Sequence, residues 1–210
     1  MRRLLASRRA KIVLAACLAI LLLAALCLGG YLLAYRNIQN NGITLSASRD
    51  IAPPAVEVYL QNDPTWAGDT IGNSTTTLGS AGCLISCAAM AISQFGSRVT
   101  PAQVNQAMTA VDGFDYDEFL WYRVKEAFPG LDYRYQRVFD SGTIERDLED
   151  GLLPIVKVRY HGNGAQHWLL VVGAAGGEFL VIDPLDTGRQ PVPLNGTHGR
   201  VYAYRVLVKA

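Results

Sequence analysis

The chain has 210 residues, half of them apolar and 18% charged, with a formal net charge of +1. That length allows one domain plus an appendage. Six of the 19 basic residues lie at or before Arg36, where no acidic residue occurs, so the remainder carries 13 basic and 18 acidic residues. An acidic remainder argues against nucleic acid and anionic lipid headgroups as partners of the main domain.

Residues 12–35 form an uncharged run that includes Leu21-Leu22-Leu23 and Leu32-Leu33. As a helix this run would be about 36 Å long, against a hydrocarbon core of about 30 Å. It has no polar face, which separates it from a buried core helix. Arg2, Arg3, Arg8, Arg9 and Lys11 precede it and only Arg36 follows closely, so residues 1–11 read as a cytoplasmic basic tail. The run is longer than the apolar region of a cleaved signal peptide and ends without a convincing small-x-small site. It is expected to be an uncleaved, single-pass signal anchor in the cell membrane, with the C-terminal domain outside.

Residues 36–54, with Asn-Asn-Gly and Pro-Pro, read as a polar stalk. The folded domain is expected over residues 55–210, a size that supports a single core. Residues 56–60 alternate as in a short strand, and residues 62–82 form a long loop of the kind that carries function. Helices are predicted over residues 83–95, residues 100–110 (capped by Thr100 with Pro101 at the first position), residues 115–128 and residues 141–149. Residues 153–160, 168–173, 179–182 and 201–208 are β-branched or aromatic-rich strands, and Ala174-Ala175-Gly176-Gly177 turns a hairpin. Helices first and a mainly antiparallel sheet second make an α+β domain.

Cys83 sits where Gly79-Ser80-Ala81-Gly82 gives way to the apolar run Cys83-Leu84-Ile85-Ser86-Cys87-Ala88-Ala89-Met90. A thiol on the first turn of a helix faces backbone N–H groups and the positive end of the helix dipole, which favours a nucleophilic thiolate. Cys87, one turn deeper among small apolar residues, reads as a packing cysteine. Cys17 and Cys27 lie in the membrane run and read the same way. His167 heads an apolar strand and Asp183 closes the next. Each has an ordinary alternative, a satisfied core histidine and a turn-starting acid. If the strands form a hairpin, their ends lie side by side and the acid can fix the tautomer of the histidine. Cysteine, histidine and acid in that order suggest a thiol hydrolase. His161 and His198 lie in glycine-containing loops and read as solvated. No metal or cofactor is expected, because the histidines and cysteines lack zinc-type spacing.

Tyr59-Leu60-Gln61-Asn62-Asp63-Pro64-Thr65-Trp66, the block 82–90 around Cys83, His167-Trp168 and Asp183-Pro184 together resemble the C-39-like peptidases of bacteria. These are papain-like cysteine peptidases related to the domains that trim double-glycine leaders in bacteriocin exporters. The resemblance spans most of residues 55–185. It implies a papain-like fold, a peptide or protein substrate, Cys83 as nucleophile, His167 as base, Asp183 as orienting acid and Gln61 as oxyanion-hole donor. One departure stands out: the family commonly has Gly-Pro-Thr after the nucleophile, where this chain has Leu84-Ile85-Ser86. Two other classes fit the same residues. One is a non-catalytic module binding peptide or cell wall, and the other is a cell-wall amidase or endopeptidase of the NlpC type.

Overall fold

The computed structural model describes residues 8–96 and 98–210. Helix α1, Arg8–Asn41, runs for 34 residues. Its stretch Ala10–Asn41 is long and apolar enough to cross a membrane, and its leucines stand exposed. The first seven residues of the expected basic tail lie outside the described residues. Contacts divide the chain into a unit of residues 1–37 and a compact unit of residues 38–210.

The compact unit is α+β. Its short helices are α2 Leu78–Ala81, α3 Cys83–Ser93, α4 Pro101–Thr109, α5 Val124–Ala127, α6 Ser141–Glu149 and α7 Leu194–Thr197. Strands β1 Phe114–Asp115 and β2 Glu118–Phe119 form a small separate ribbon. The remaining strands are β3 Leu131–Arg134, β4 Ile155–Arg159, β5 Gln166–Ala175, β6 Glu178–Ile182, β7 Val192–Pro193 and β8 Val201–Lys209. They form one six-stranded sheet in the order β3-β8-β4-β5-β6-β7, with every neighbouring pair antiparallel.

Helix α3 packs on β5, and α4 packs on α3. Nearly every side chain of α3 is buried, from Cys83 through Ile92. On the sheet, Ile155, Val156, Leu169, Leu170, Val171 and Val181 are fully buried. Burial on both faces explains why β4 and β5 read as near-continuous apolar runs rather than as alternating ones. Thr100 caps α4 as expected: its hydroxyl accepts from the Gln103 N–H, and the Gln103 side chain accepts from the Thr100 N–H, closing a capping box. The cap of α6 is Asp140, whose carboxylate accepts from the Thr143 N–H. Asp147 of α6 accepts from the Tyr204 hydroxyl and pairs with Arg134, fastening the helix to β8 and β3.

Three expectations from the sequence differ from the structure. Residues 38–54 do not form a free stalk. Ile38 and Leu45 are buried, Ile43 pairs with Val201, and Ile51 pairs with Ala174. The Ala47 N–H donates to the Gly177 carbonyl. Glu145 holds the Ser48 backbone and hydroxyl, and Arg49 pairs with Glu149 at 2.6 Å. Four apolar side chains spaced through a polar stretch outweigh its loop-like composition, because each gains burial on the sheet. Gly173 permits this crossing, since a Cβ there would sit 2.5 Å from the Ile51 carbonyl oxygen.

The amphipathic helix expected over residues 115–128 is also replaced. The β1–β2 ribbon turns through Tyr116 at φ 56°, a left-handed conformation that ends helical geometry. A single 3₁₀ turn, Trp121–Arg123, and α5 follow. Phe114, Phe119 and Trp121 meet edge to face at 5.8 and 5.1 Å. This ring packing satisfies the apolar positions without a helix. Finally, residues 56–60 form no strand. Strand β3 does form, at the sheet edge beside β8, from a four-residue segment too short to show a period.

Candidate active site

The site is built where the N-terminus of α3 meets the ends of β5 and β6. Gly82 precedes Cys83 and gives the helix no side-chain cap. A Cβ on Gly82 would lie 2.4 Å from the Leu78 carbonyl oxygen, so the tight passage from α2 into α3 requires glycine. That passage leaves Cys83 on the first turn, 8% exposed. Helix α3 has 11 residues, so its dipole is developed at this point.

Strands β5 and β6 are joined through Gly176 and Gly177, both in the left-handed region. Their register places Leu170 opposite Ile182, which brings His167 near Asp183. His167 Nε2 lies 2.6 Å from Asp183 Oδ1. Cys83, on the first turn of α3, is the second group that acts on the His167 ring, favouring its charged form. Because Nε2 is engaged by the carboxylate, Nδ1 is the nitrogen left for the thiol. Both residues are buried, at 3% and 6% exposure.

The electrostatics follow from this placement. Burial opposes a charge on His167, but the Asp183 hydrogen bond, the Cys83 hydrogen bond and the charges of both partners push it up to about 9. Burial likewise opposes the charge on Asp183, and again pairing wins. Hydrogen bonds from His167, His198 and the Leu185 N–H hold its carboxyl well below the usual carboxylate range. Cys87 behaves differently. Burial first, then Cys83 and Asp183, push its thiol well above the ordinary value. It donates to the Trp168 carbonyl at 3.5 Å, the setting of an inert core thiol.

Gln61 is 4% exposed and ties the two halves of the site together. Its backbone N–H donates to the Pro184 carbonyl, next to Asp183, at 3.0 Å. Its side-chain Nε2 donates to the Gly79 carbonyl, four residues before Cys83, at 3.0 Å. One amide hydrogen therefore stays available. The Gln61 Oε1 is buried and finds no partner among the described residues, as does the Ser86 hydroxyl on α3. Arg189 strengthens the same junction by donating to the Val58 carbonyl at 3.0 Å.

The structure corrects the reading of one histidine. His161 is exposed, as expected for a loop residue. His198 is only 2% exposed, and its Nε2 lies 3.3 Å from Asp183 Oδ2. It ends the short helix α7, whose Leu194 is fully buried beside β6. Glycine on both sides of a histidine signals a loop but says nothing of where the loop lands. The only hint in the sequence was the buried-type residue Leu194 four positions earlier. Among the described residues no group of three or more His, Cys, Asp or Glu side chains is placed to hold a metal ion.

No protein-family model and no curated protein matches the chain. Solved structures do match it. A Bacillus anthracis protein classed as a C39-like peptidase superposes with a TM-score of 0.52 at 11% identity, covering 78% of this chain and 99% of its own. The peptidase domain of Streptococcus ComA, a bifunctional ABC transporter of a quorum-sensing pathway, gives a TM-score of 0.42 at 18% identity, covering 61% of this chain and 91% of its own. The chain therefore has the α+β fold of the C39-like peptidase group, the group its sequence blocks resemble.

Proposed function

We propose that this protein is a membrane-anchored cysteine peptidase whose catalytic domain lies outside the cytoplasm. The observation that carries the reading is the 2.6 Å pairing of His167 Nε2 with the buried Asp183 carboxylate, with Cys83 favouring the charged form of the same ring. Residue types and order match a Cys–His–Asp triad.

In this reading His167 holds the proton of Cys83 as an imidazolium, and Asp183 stabilises that charge. The thiolate attacks a substrate amide carbonyl, forming a carbon–sulfur bond. The second amide hydrogen of Gln61 and the backbone N–H of Cys83 receive the charge that develops on the carbonyl oxygen. His167 then protonates the leaving amine as the carbon–nitrogen bond breaks. Water, deprotonated by His167, hydrolyses the thioester and restores the resting site. Helix α1 would hold the domain at the membrane, with the basic residues that precede residue 12 on the cytoplasmic side.

The test is to incubate the full-length protein, in detergent micelles, with a mixture of peptides of varied sequence and to follow new termini by mass spectrometry. Cleavage that disappears in Cys83→Ala and persists in Cys87→Ala is expected. Cleavage that survives Cys83→Ala overturns the assignment.

A further inference from the structure

Asp183 carries more hydrogen bonding than a two-residue relay needs. Oδ1 receives His167 Nε2 at 2.6 Å and the Leu185 N–H at 2.8 Å. Oδ2 faces a second buried ring, His198 Nε2, at 3.3 Å. The other nitrogen of that ring is also engaged: the His161 backbone N–H points at His198 Nδ1 at 3.3 Å. An N–H donor at Nδ1 requires a lone pair there, so the hydrogen of the ring sits on Nε2, the nitrogen 3.3 Å from Asp183 Oδ2.

This arrangement is built from three separated segments. The His161 N–H is presented by a backbone in the left-handed region, at φ 49°, in the tight β4–β5 connection. The connection is closed by hydrogen bonds between Tyr160 and Ala165 and between Gly164 and Tyr160. The His161 ring stacks on the His198 ring at 5.6 Å and 15°. The Tyr160 ring meets His167 edge-on at 5.3 Å and His198 at 5.7 Å. The titratable groups that face Asp183 are thus His167 and His198, and its charge also acts on the Cys87 thiol.

We propose that His198 is a positioning residue of the active site, holding Asp183 Oδ2 through its Nε2–H so that Oδ1 is turned toward His167. The role follows from geometry. A carboxylate held at one oxygen can rotate about its Cβ–Cγ bond, whereas one held at both oxygens by buried donors has a fixed plane. The second donor also replaces solvent that the buried carboxylate has lost. His198 transfers no proton and touches no substrate. The inference rests on the cysteine-peptidase reading for its catalytic meaning, but its test does not need turnover.

The test uses the full-length protein in micelles, with Cys83 alkylation by iodoacetamide followed against pH. Loss of one of the hydrogen bonds to Asp183 weakens the hold on its ionised form. In His198→Phe the acid limb of the labelling profile is expected to move upward by about one pH unit. His198→Gln, whose amide can still donate, is expected to restore the wild-type limb. A merely structural role would lower the melting temperature in both variants and leave the limb in place, so an unmoved limb in His198→Phe overturns the proposal. Nitrogen NMR of the ring gives a second, independent reading. His198 is expected to show a bare Nδ1 and a protonated Nε2, and the opposite tautomer also overturns it. If no peptide is ever cut but the limb moves as expected, the peptidase reading fails and the positioning role stands.

Discussion

His167 Nε2 and Asp183 Oδ1 lie 2.6 Å apart in an almost closed interior, joined across a single β-hairpin. This pair orders the rest of the site, because it spends one histidine nitrogen on the acid and leaves the other for Cys83. Asp183→Asn would keep the shape, with the amide oxygen still accepting from the Leu185 N–H and from His167 Nε2, but would remove the negative charge that stabilises the imidazolium. The imidazole would then take the thiol proton far less readily. Peptide hydrolysis is expected to fall by about 10²- to 10⁴-fold with an unchanged far-ultraviolet spectrum. Retention of wild-type turnover would remove Asp183 from the triad.

The same pair makes stability depend on pH with a defined sign. His167 is raised from 6.5 to about 9 on folding. Its contribution is complete below about pH 6.5 and is lost as pH rises through 9, an effect of about 3 kcal/mol shared with Asp183. Asp183 is depressed, so its contribution is present above about pH 4 and is lost as pH falls toward its folded value. Chemical denaturation of the domain should show a loss of stability between pH 6.5 and 9 that is largely absent in His167→Ala. An equal loss in both proteins would contradict the pairing.

Much of this site was legible in the sequence because its parts are local. Cys83 stands at a change from small polar residues to an apolar run, and that change is the start of α3. His167 and Asp183 flank two strands joined by Gly176-Gly177, so chain connectivity alone brings them together. His198 was not legible. Its burial depends on Leu194 docking at β6 and on a backbone N–H from the distant His161, and neither relation leaves a local pattern. Residues 115–128 show the opposite failure. Their apolar spacing fits a helix, but ring packing among Phe114, Phe119 and Trp121 settles the segment as a ribbon and short turns. The polar composition of residues 38–54 concealed four apolar side chains that the sheet needs.

The packing of residues 38–54 gives a direct consequence for truncation. A fragment beginning at Ala55 loses Ile38 and Leu45 from the interior and Ile43 and Ile51 from the edges of the sheet. Full burial of one such side chain contributes about 1.5–3 kcal/mol. The shorter fragment is expected to be less stable than residues 38–210 by several kcal/mol, or not to fold. Equal denaturation midpoints would show that this segment does not hold the domain together.

Gln61 separates binding from chemistry. Its amide is fixed by the Gly79 carbonyl while its backbone is fixed by Pro184. Gln61→Ala is expected to lower kcat by about 10²- to 10³-fold with little change in KM, the pattern of a group that acts on developing charge. A rise in KM at constant kcat would make it a substrate contact instead.

The measurement that bears most directly on the central assignment is the rate of iodoacetamide labelling at each cysteine of the full-length protein, resolved by mass spectrometry and repeated in His167→Ala. Cys83 should label much faster than the buried Cys87, and the advantage should collapse without His167. Labelling of Cys83 that is slow, or that is indifferent to His167, would contradict a nucleophile activated by the His167–Asp183 pair.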